Sequence, residues 1–577
     1  MSPRSYIGAV ALVIAALTAS CAPPQAPGGG QGAGERAGTP KRVLAAINGN
    51  AYSVYAKLVS GAGGLAAGGQ ISGSAVLSQL VGSGLSAIDT TGELRPLLAE
   101  AVPTAENGLW KLLPDGRMET TWKIREGAVW HDGTPITADD LLFTTRLDQD
   151  RNMLWPVPAI YTYVESIEAA DPRTLTVRWK STYILANEFL QTQQSQPLPR
   201  HLLQADYESL PVDAFLDRPY WYADYVGSGP FKVKDFVRDS HVTLAAHDGY
   251  VLGRPRIDEI EVKFIPDGNA LLANILSGSV ELTLFRSVTL DQGMAVKDRL
   301  ADVRVNMVVG YAGWVNMFVQ HLNPTPPLLN DVRYRRALVH AIDRQQLVDA
   351  FLFGHSSVAH SLFGPHNVEY PQIESSIVKY DYDPRRSEQM ITELGYAKGS
   401  DGVFRDTSGG TLQAWLMAIA GDESNEKPLL AIADMWKKLG IDSQFQLVTA
   451  QQANYDEIRA NFPGFSVQGG GEGVGGIPRM HGARARVAED NYRGNNYGRY
   501  RNPELDRLID RYHATIPFDE RMRVLAEFIR ITTGDVANVP LFWRMAPTFI
   551  GERIVNVSES NNLGNHGWNA HEWDVRR

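Results

Sequence analysis

"IDEIEVKFIPDGNALLANILSGSVELTL", residues 257–284, decides the fold class. A β-branched strand leads through Pro266-Asp267 into a helix that ends at Gly278, and a second strand follows. Strand, helix and strand in succession form a β-α-β unit, and chains that alternate the two elements build α/β layers. The same alternation recurs downstream. "EKPLLAIADMWKKLGIDSQFQLV", 426–448, reads as a helix, a glycine stop and a strand.

Helix boundaries elsewhere are written in capping residues. "DVRYRRALVHAIDRQQLVDAFLFG", 331–354, is two helices in succession, with Asp331 and Asp343 as N-caps, Gln346 completing a capping box and Gly354 ending the second. "YDPRRSEQMITELGY" repeats the device with Asp383 as cap, Pro384 in the first turn and Gly395 at the end. Nearer the N-terminus, Lys41–Ile47 predicts a first strand and "ETTWKIR", 119–125, alternates as a half-buried strand should. Thr137, with Asp140 three residues on, caps an amphipathic helix. His131 precedes the Asp132-Gly133 turn and is expected as a satisfied turn histidine.

Composition bounds the function. The chain has 577 residues, 44% hydrophobic and 21% charged, with a formal charge of −10 that argues against a general nucleic-acid binder. "HGARAR" at 481–486 is a local basic run, read as a solvated loop. "GSGPF" at 227–231 lacks the glycine spacing and the following helix of a dinucleotide loop. The HExxH, GxSxG and GxxxxGK[ST] motifs are absent, and no motif pairs two carboxylates, so no catalytic residue, metal site or cofactor is expected. His566 and His571 are expected as surface histidines of a tail.

The N-terminal segment carries its own message. Arg4, the apolar run Ile7–Leu17 and the small residues Thr18-Ala19-Ser20 describe an export signal, too short to span a bilayer. Cys21 follows and is the only cysteine, which excludes an internal disulfide. The stretch resembles the bacterial lipobox, with Thr18 where that motif prefers Leu, which implies a diacylated Cys21. Two acyl chains suffice for stable anchoring. Residues 22–42, rich in Pro, Gly, Gln and Ala, then read as a tether with a reach of roughly 25 Å. About 535 residues remain, a fair prior for two or three domains.

Six blocks in order resemble the bacterial extracellular solute-binding proteins of family 5, the peptide-, nickel- and oligosaccharide-type receptors of ABC importers. They are "REGAVWHDGTPITADDLLFTTRL", "GSGPFKVKDF", "IDEIEVKFIPDGNALLANILSGSVEL", "DVRYRRALVHAIDRQQLVDAFLFG", "YDYDPRRSEQMITELGY" and "VPLFWRMAPTFI". The likeness runs from about Glu93 to Val557. It implies an α/β, two-lobed periplasmic-binding-protein-like fold of class II type with an additional accessory domain. After a signal peptide (1–20) and the lipidated tether (21–42), the first lobe takes 43–90, 223–310 and 536–577. The accessory domain takes 91–222 and the second lobe 311–535, with crossings near Met307–Tyr311 and Gly534–Val539. The implied protein is no enzyme. It is an exported, lipid-anchored monomer that captures a small polar solute and delivers it to a permease and its ATPase. A membrane-anchored hydrolase and a signalling receptor are the alternatives.

The resemblance also places candidate ligand contacts. Phe143 stands where peptide-binding relatives carry an aromatic residue, and "PLFWR" supplies Phe542, Trp543 and Arg544 near the crossover. Trp314 and Trp415 lie at strand ends of the second lobe. Peptide-binding relatives often carry Gly-Trp-x-x-Asp, whose aspartate pairs with the peptide ammonium. Here "QGGGEGVGGIPRM" puts Gly470 in place of the tryptophan and Gly473 in place of the aspartate, with Glu472 one residue early. Gly470 and Gly471 are expected to let backbone N–H groups approach the solute. Arg479 and Arg544 suit a carboxylate or phosphate, which points to a polar ligand other than an ordinary oligopeptide.

Overall fold

The β-α-β unit forms as predicted, and its two strands lie inside a sheet ten strands wide with one strand between them. The computed structural model describes residues 40–576 apart from 56, 59–73, 154, 156, 285–286, 301–302, 450–451, 453–455, 493 and 559–562. Cys21, the export signal and nearly all of the tether lie outside the described residues.

The strands that matter are β1 (Arg42–Ile47), β2 (Trp110–Leu112), β3 (Met118–Lys123), β4 (Val164–Asp171), β5 (Thr174–Trp179), β6 (Phe231–Val237), β7 (His241–Ala246), β8 (Glu259–Phe264), β9 (Leu282–Thr283), β10 (Val303–Val319), β11 (Gln413–Ile419), β12 (Asp442–Val448), β13 (Phe465–Gly470) and β14 (Asn538–Gly551). Three helices are named below: α1 (Ala138–Gln149), α2 (Gly268–Leu276) and α3 (Glu423–Leu439).

The large sheet runs β12-β11-β13-β10-β14-β9-β1-β8-β7-β6. Strand β1 pairs in parallel with β8 on one side and β9 on the other. Its Val43, Ala45, Ala46 and Ile47 are all buried, as a strand covered on both faces requires. Asp267 caps α2 by accepting from the Ala270 N–H at 2.7 Å. Asp331, Asp343 and Asp383 likewise accept from the first-turn N–H groups of Arg333, Gln346 and Arg386.

Two long antiparallel strands join the halves. β10 has 17 residues and β14 has 14, and they pair along both stretches. The first half of β10 meets Met545–Gly551, and its second half meets Asn538–Trp543. The ladder is interrupted between Val309 and Trp314, opposite Met545 and Trp543. The expected crossing segment Met307–Tyr311 falls within β10, next to this interruption, and Gly534–Val539 runs from a helix end into the start of β14. Gly534 ends a helix, and the strand from Asn538 still pairs with the second half of β10.

Each half has its own core. Val43, Ile260, Val262 and Trp221 belong to one, and Val315, Met317, Leu416 and Trp436 to another. The chain between them carries a separate four-stranded sheet, β2-β3-β5-β4, whose core holds Trp122, Trp130 and Trp179. Helix α1 opens with the Thr137 N–H donating to Asp140 at 2.8 Å. His131 is satisfied on both ring nitrogens: Nδ1 accepts from the Gly227 N–H and Nε2 donates to the Gly229 carbonyl. The C-terminal segment differs from expectation. His566 is buried, because residues 563–572 pack on the helix Ser74–Val81, with the Gly567 N–H donating to Gln79.

Candidate functional site

From Trp314 onward β10 alternates. Val315, Met317 and Val319 enter one core, so Trp314, Asn316 and Phe318 share the opposite face. Gly470 of β13 stands directly across from Trp314. A Cβ there would lie 2.5 Å from the indole Nε1, so glycine is what lets the ring lie flat. On the other side Trp543 of β14 stacks on Trp314, ring centres 6.1 Å apart at 18°. Above this floor is a narrow crevice, part of it open to solvent. Phe318 continues the floor, and Arg479, Asn495, Tyr497 and Tyr500 form the facing wall.

The glycine run serves neighbouring side chains. A Cβ on Gly471 would come 2.9 Å from the Arg479 guanidinium carbon, and one on Gly469 3.0 Å from that of Arg544. The expectation that Gly470 and Gly471 offer open backbone is replaced by this packing. Gly470 sits in the strand ladder against Trp314, and Arg479 fills the space beside Gly471.

Glu472 caps the short helix that follows, and His366 Nε2 lies 3.1 Å from its carboxylate. Burial pushes the Glu472 carboxyl up, and the bond and charge of His366 offset this only in part. The His366 ring stands edge-on to Trp543, centres 4.7 Å apart. Burial also pushes the Tyr497 phenol up, but Arg486, Arg459 and Arg479 outweigh it and hold the group below its ordinary value. Arg486 lies 4.4 Å and Arg459 5.6 Å from the ring centre.

The arginine run at 481–486 is thus no freely solvated loop. Arg486 is buried, its Nε donating to the Gly494 carbonyl and its Nη1 pairing with Asp456 at 3.3 Å. Among the described residues no group of three or more His, Cys, Asp or Glu could hold a metal ion.

The chain matches the family described as bacterial extracellular solute-binding proteins, family 5 Middle, over residues 93–476. It belongs to the family 5 solute-binding proteins. Family 5 members are binding proteins. The oligopeptide-binding protein AppA of Bacillus subtilis is 26% identical over 402 residues, which span 68% of this chain and 70% of that one. A probable ABC transporter-binding protein of Deinococcus radiodurans is 25% identical over 438 residues, 69% of this chain and 70% of the other. The oligopeptide-binding protein of Thermus thermophilus, solved with a pentapeptide, superposes with a TM-score of 0.73 at 23% identity. That alignment covers 92% of this chain and 96% of that one.

In this family 5 protein, Trp314, Gly471 and Arg479 line the crevice, while Trp543, Gly470 and Glu472 stand directly behind or beside it. Four other candidates lie elsewhere. Phe143 is packed in the first core against Tyr207, ring centres 6.0 Å apart. Phe542 belongs to the second core with Val315. Arg544 follows Trp543 and turns to the N-terminus of α3, its Nη2 donating to Asn425 at 2.6 Å and lying 3.9 Å from Asp422. Trp415 sits on β11, separated from β10 by β13, with Gly464 packed against it. His366, Asn316, Asn495, Tyr497 and Tyr500 went unnoticed in the sequence. Asn316 follows Trp314 at the spacing of one strand face, which is the one local signal available for any of them.

Proposed function

We propose that this protein is the solute-capturing component of an ABC importer and holds its solute in the crevice above Trp314 and Trp543. The carrying observation is the placement of that crevice. It opens on the half of the sheet reached through β10 and β14, the two strands that would flex as one lobe closes over the other. Aromatic floors with a few fixed polar groups are how such sites grip small ligands. The names of the Bacillus and Deinococcus relatives, an oligopeptide-binding protein and a probable ABC transporter-binding protein, agree with solute binding for such a transporter. In this reading 43–90, 223–310 and 545–577 form the lobe that closes, 91–222 the accessory domain and 311–535 together with 538–543 most of the lobe that binds. The protein acts as a monomer without catalysis, exported and held at a membrane by a diacylated Cys21.

The test is a thermal-shift screen of candidate solutes with recovery of each solute afterwards. A raised melting temperature with the solute intact supports capture, whereas consumption of the solute would favour the hydrolase alternative. For the anchor, Cys21→Ser should move the protein from the detergent phase to the aqueous phase of a Triton X-114 partition. An unmodified Cys21 thiol on the mature wild-type protein would refute it.

A further inference from the structure

Taking the crevice as the solute site, we propose that it is built for a small solute with an acidic group, a carboxylate or phosphate, read by Arg479. The charge on its walls is one-sided. Among the described residues no Asp or Glu lines it, and Arg479 is its one charged lining residue. Arg479 is exposed and makes no hydrogen bond or ion pair with any described residue. Behind it Arg459 and Arg486 converge on Tyr497, and of the two only Arg486 has a carboxylate partner, Asp456. Those three guanidinium groups outweigh burial in holding the Tyr497 phenol below its ordinary value.

The carboxylate of the glycine loop is committed. Glu472 is occupied by His366, so a solute ammonium arriving here would find no unpaired acid to meet it. A second observation points to a ligand independently of charge. Asn495 lines the crevice, and its buried Oδ1 has no partner among the described residues. Buried polar atoms are costly to leave unsatisfied, by about 1–3 kcal/mol each. That acceptor matches a solute that adds a hydroxyl or amide N–H to its acid. A guanidinium fork with open donors matches the acid itself.

Tryptophan fluorescence from the Trp314–Trp543 floor provides the readout. The purified protein is titrated with succinate, citrate, glycerol 3-phosphate, N-acetyl-trialanine (an acid without an amine) and trialanine amide (an amine without an acid). At least one acid probe should give a saturable change, with the carboxylates and the phosphate ester separating the two anion types. Arg479→Gln should raise its half-saturation concentration tenfold or more, and Arg479→Lys should recover part of that. Because Arg479 is exposed, an unchanged melting temperature will show that the variants are folded. No saturable response to any acid probe, or an equal response in Arg479→Gln, overturns the assignment. Binding of trialanine amide that is lost in Glu472→Gln would also overturn it, while leaving solute capture at this crevice intact.

Discussion

Gly470 and Trp314 face each other across two strands so closely that no side chain fits between them: the indole nitrogen occupies the place of a Cβ, 2.5 Å away. The ring cannot retreat, since Trp543 is stacked behind it. Gly470→Ala should therefore force the floor of the crevice to shift. Overpacking of this kind costs about 1–3 kcal/mol. The expected result is a lower melting temperature together with a changed tryptophan emission spectrum. A variant with wild-type stability and emission would show that the floor is not held by this contact.

A second prediction concerns the seam between the first core and α1. Lys57 and Asp148 form a buried ion pair, and Asp148 also accepts from the Tyr161 hydroxyl at 2.9 Å and the Ser195 hydroxyl at 2.5 Å. Removing one member strands the other charge in the interior, which typically costs about 3–5 kcal/mol. Asp148→Ala should lower the urea midpoint strongly. Lys57→Met with Asp148→Leu should recover much of the loss, since two apolar groups of similar size leave no charge unpaired. Equal damage from the single and double variants would show that packing, not charge, sets the cost.

Acid should weaken the fold through histidines that are kept neutral. Burial holds His131 and His321 down to about 3, aided by the charges of His247 and Arg335 respectively. Burial, with Arg344 and Lys379, holds His360 down to about 4. In the unfolded chain these groups take up protons near 6.5, so below that pH the unfolded state binds more protons than the folded one. Stability is then fully present above 6.5 and is lost as pH falls toward 4. Each such group contributes up to about 1.4 kcal/mol per pH unit in that window. His131→Gln should make the dependence of the denaturation midpoint shallower by about one proton between pH 6 and 4.5. An unchanged slope would mean that His131 titrates normally in the fold.

What the sequence disclosed was local, and what it withheld depended on distant strands. The caps at Asp267, Asp331, Asp343 and Asp383 act within three residues of themselves and could be read directly. The β-α-β unit was equally legible. The glycines at 469–471 could not be read correctly, because what fills their missing side chains comes from residues 314, 479 and 544. Arg486 looked like part of a solvated run until Asp456 and Tyr497, both remote in the chain, enclosed it. Likewise nothing in "NVPLFWRMAPTFIG" reveals that its first half pairs with one half of β10 and its second with the other.

The last prediction follows from a contact that bypasses the two crossing strands. The Ile184 N–H donates to the His513 carbonyl at 2.8 Å. The Tyr183 ring stacks on the His513 imidazole, centres 5.9 Å apart at 22°, and Tyr163 backs Tyr183 at 4.1 Å. Tyr163 and Tyr183 belong to the core of the four-stranded sheet, whereas Ile509 and Tyr512, neighbours of His513, belong to the core that holds Trp314 and Trp543. The stack thus joins the two bodies at a point separate from β10 and β14. Such an aromatic pair contributes about 0.5–1.5 kcal/mol beyond its buried area, enough to bias an opening equilibrium several-fold. Tyr183→Ala should speed hydrogen exchange at the Ile184 amide and raise the radius of gyration measured by small-angle scattering, with the tryptophan emission of the crevice floor unchanged. If exchange at Ile184 and the scattering radius both stay at wild-type values, the two bodies are held together by other contacts and the stack is incidental to their approach.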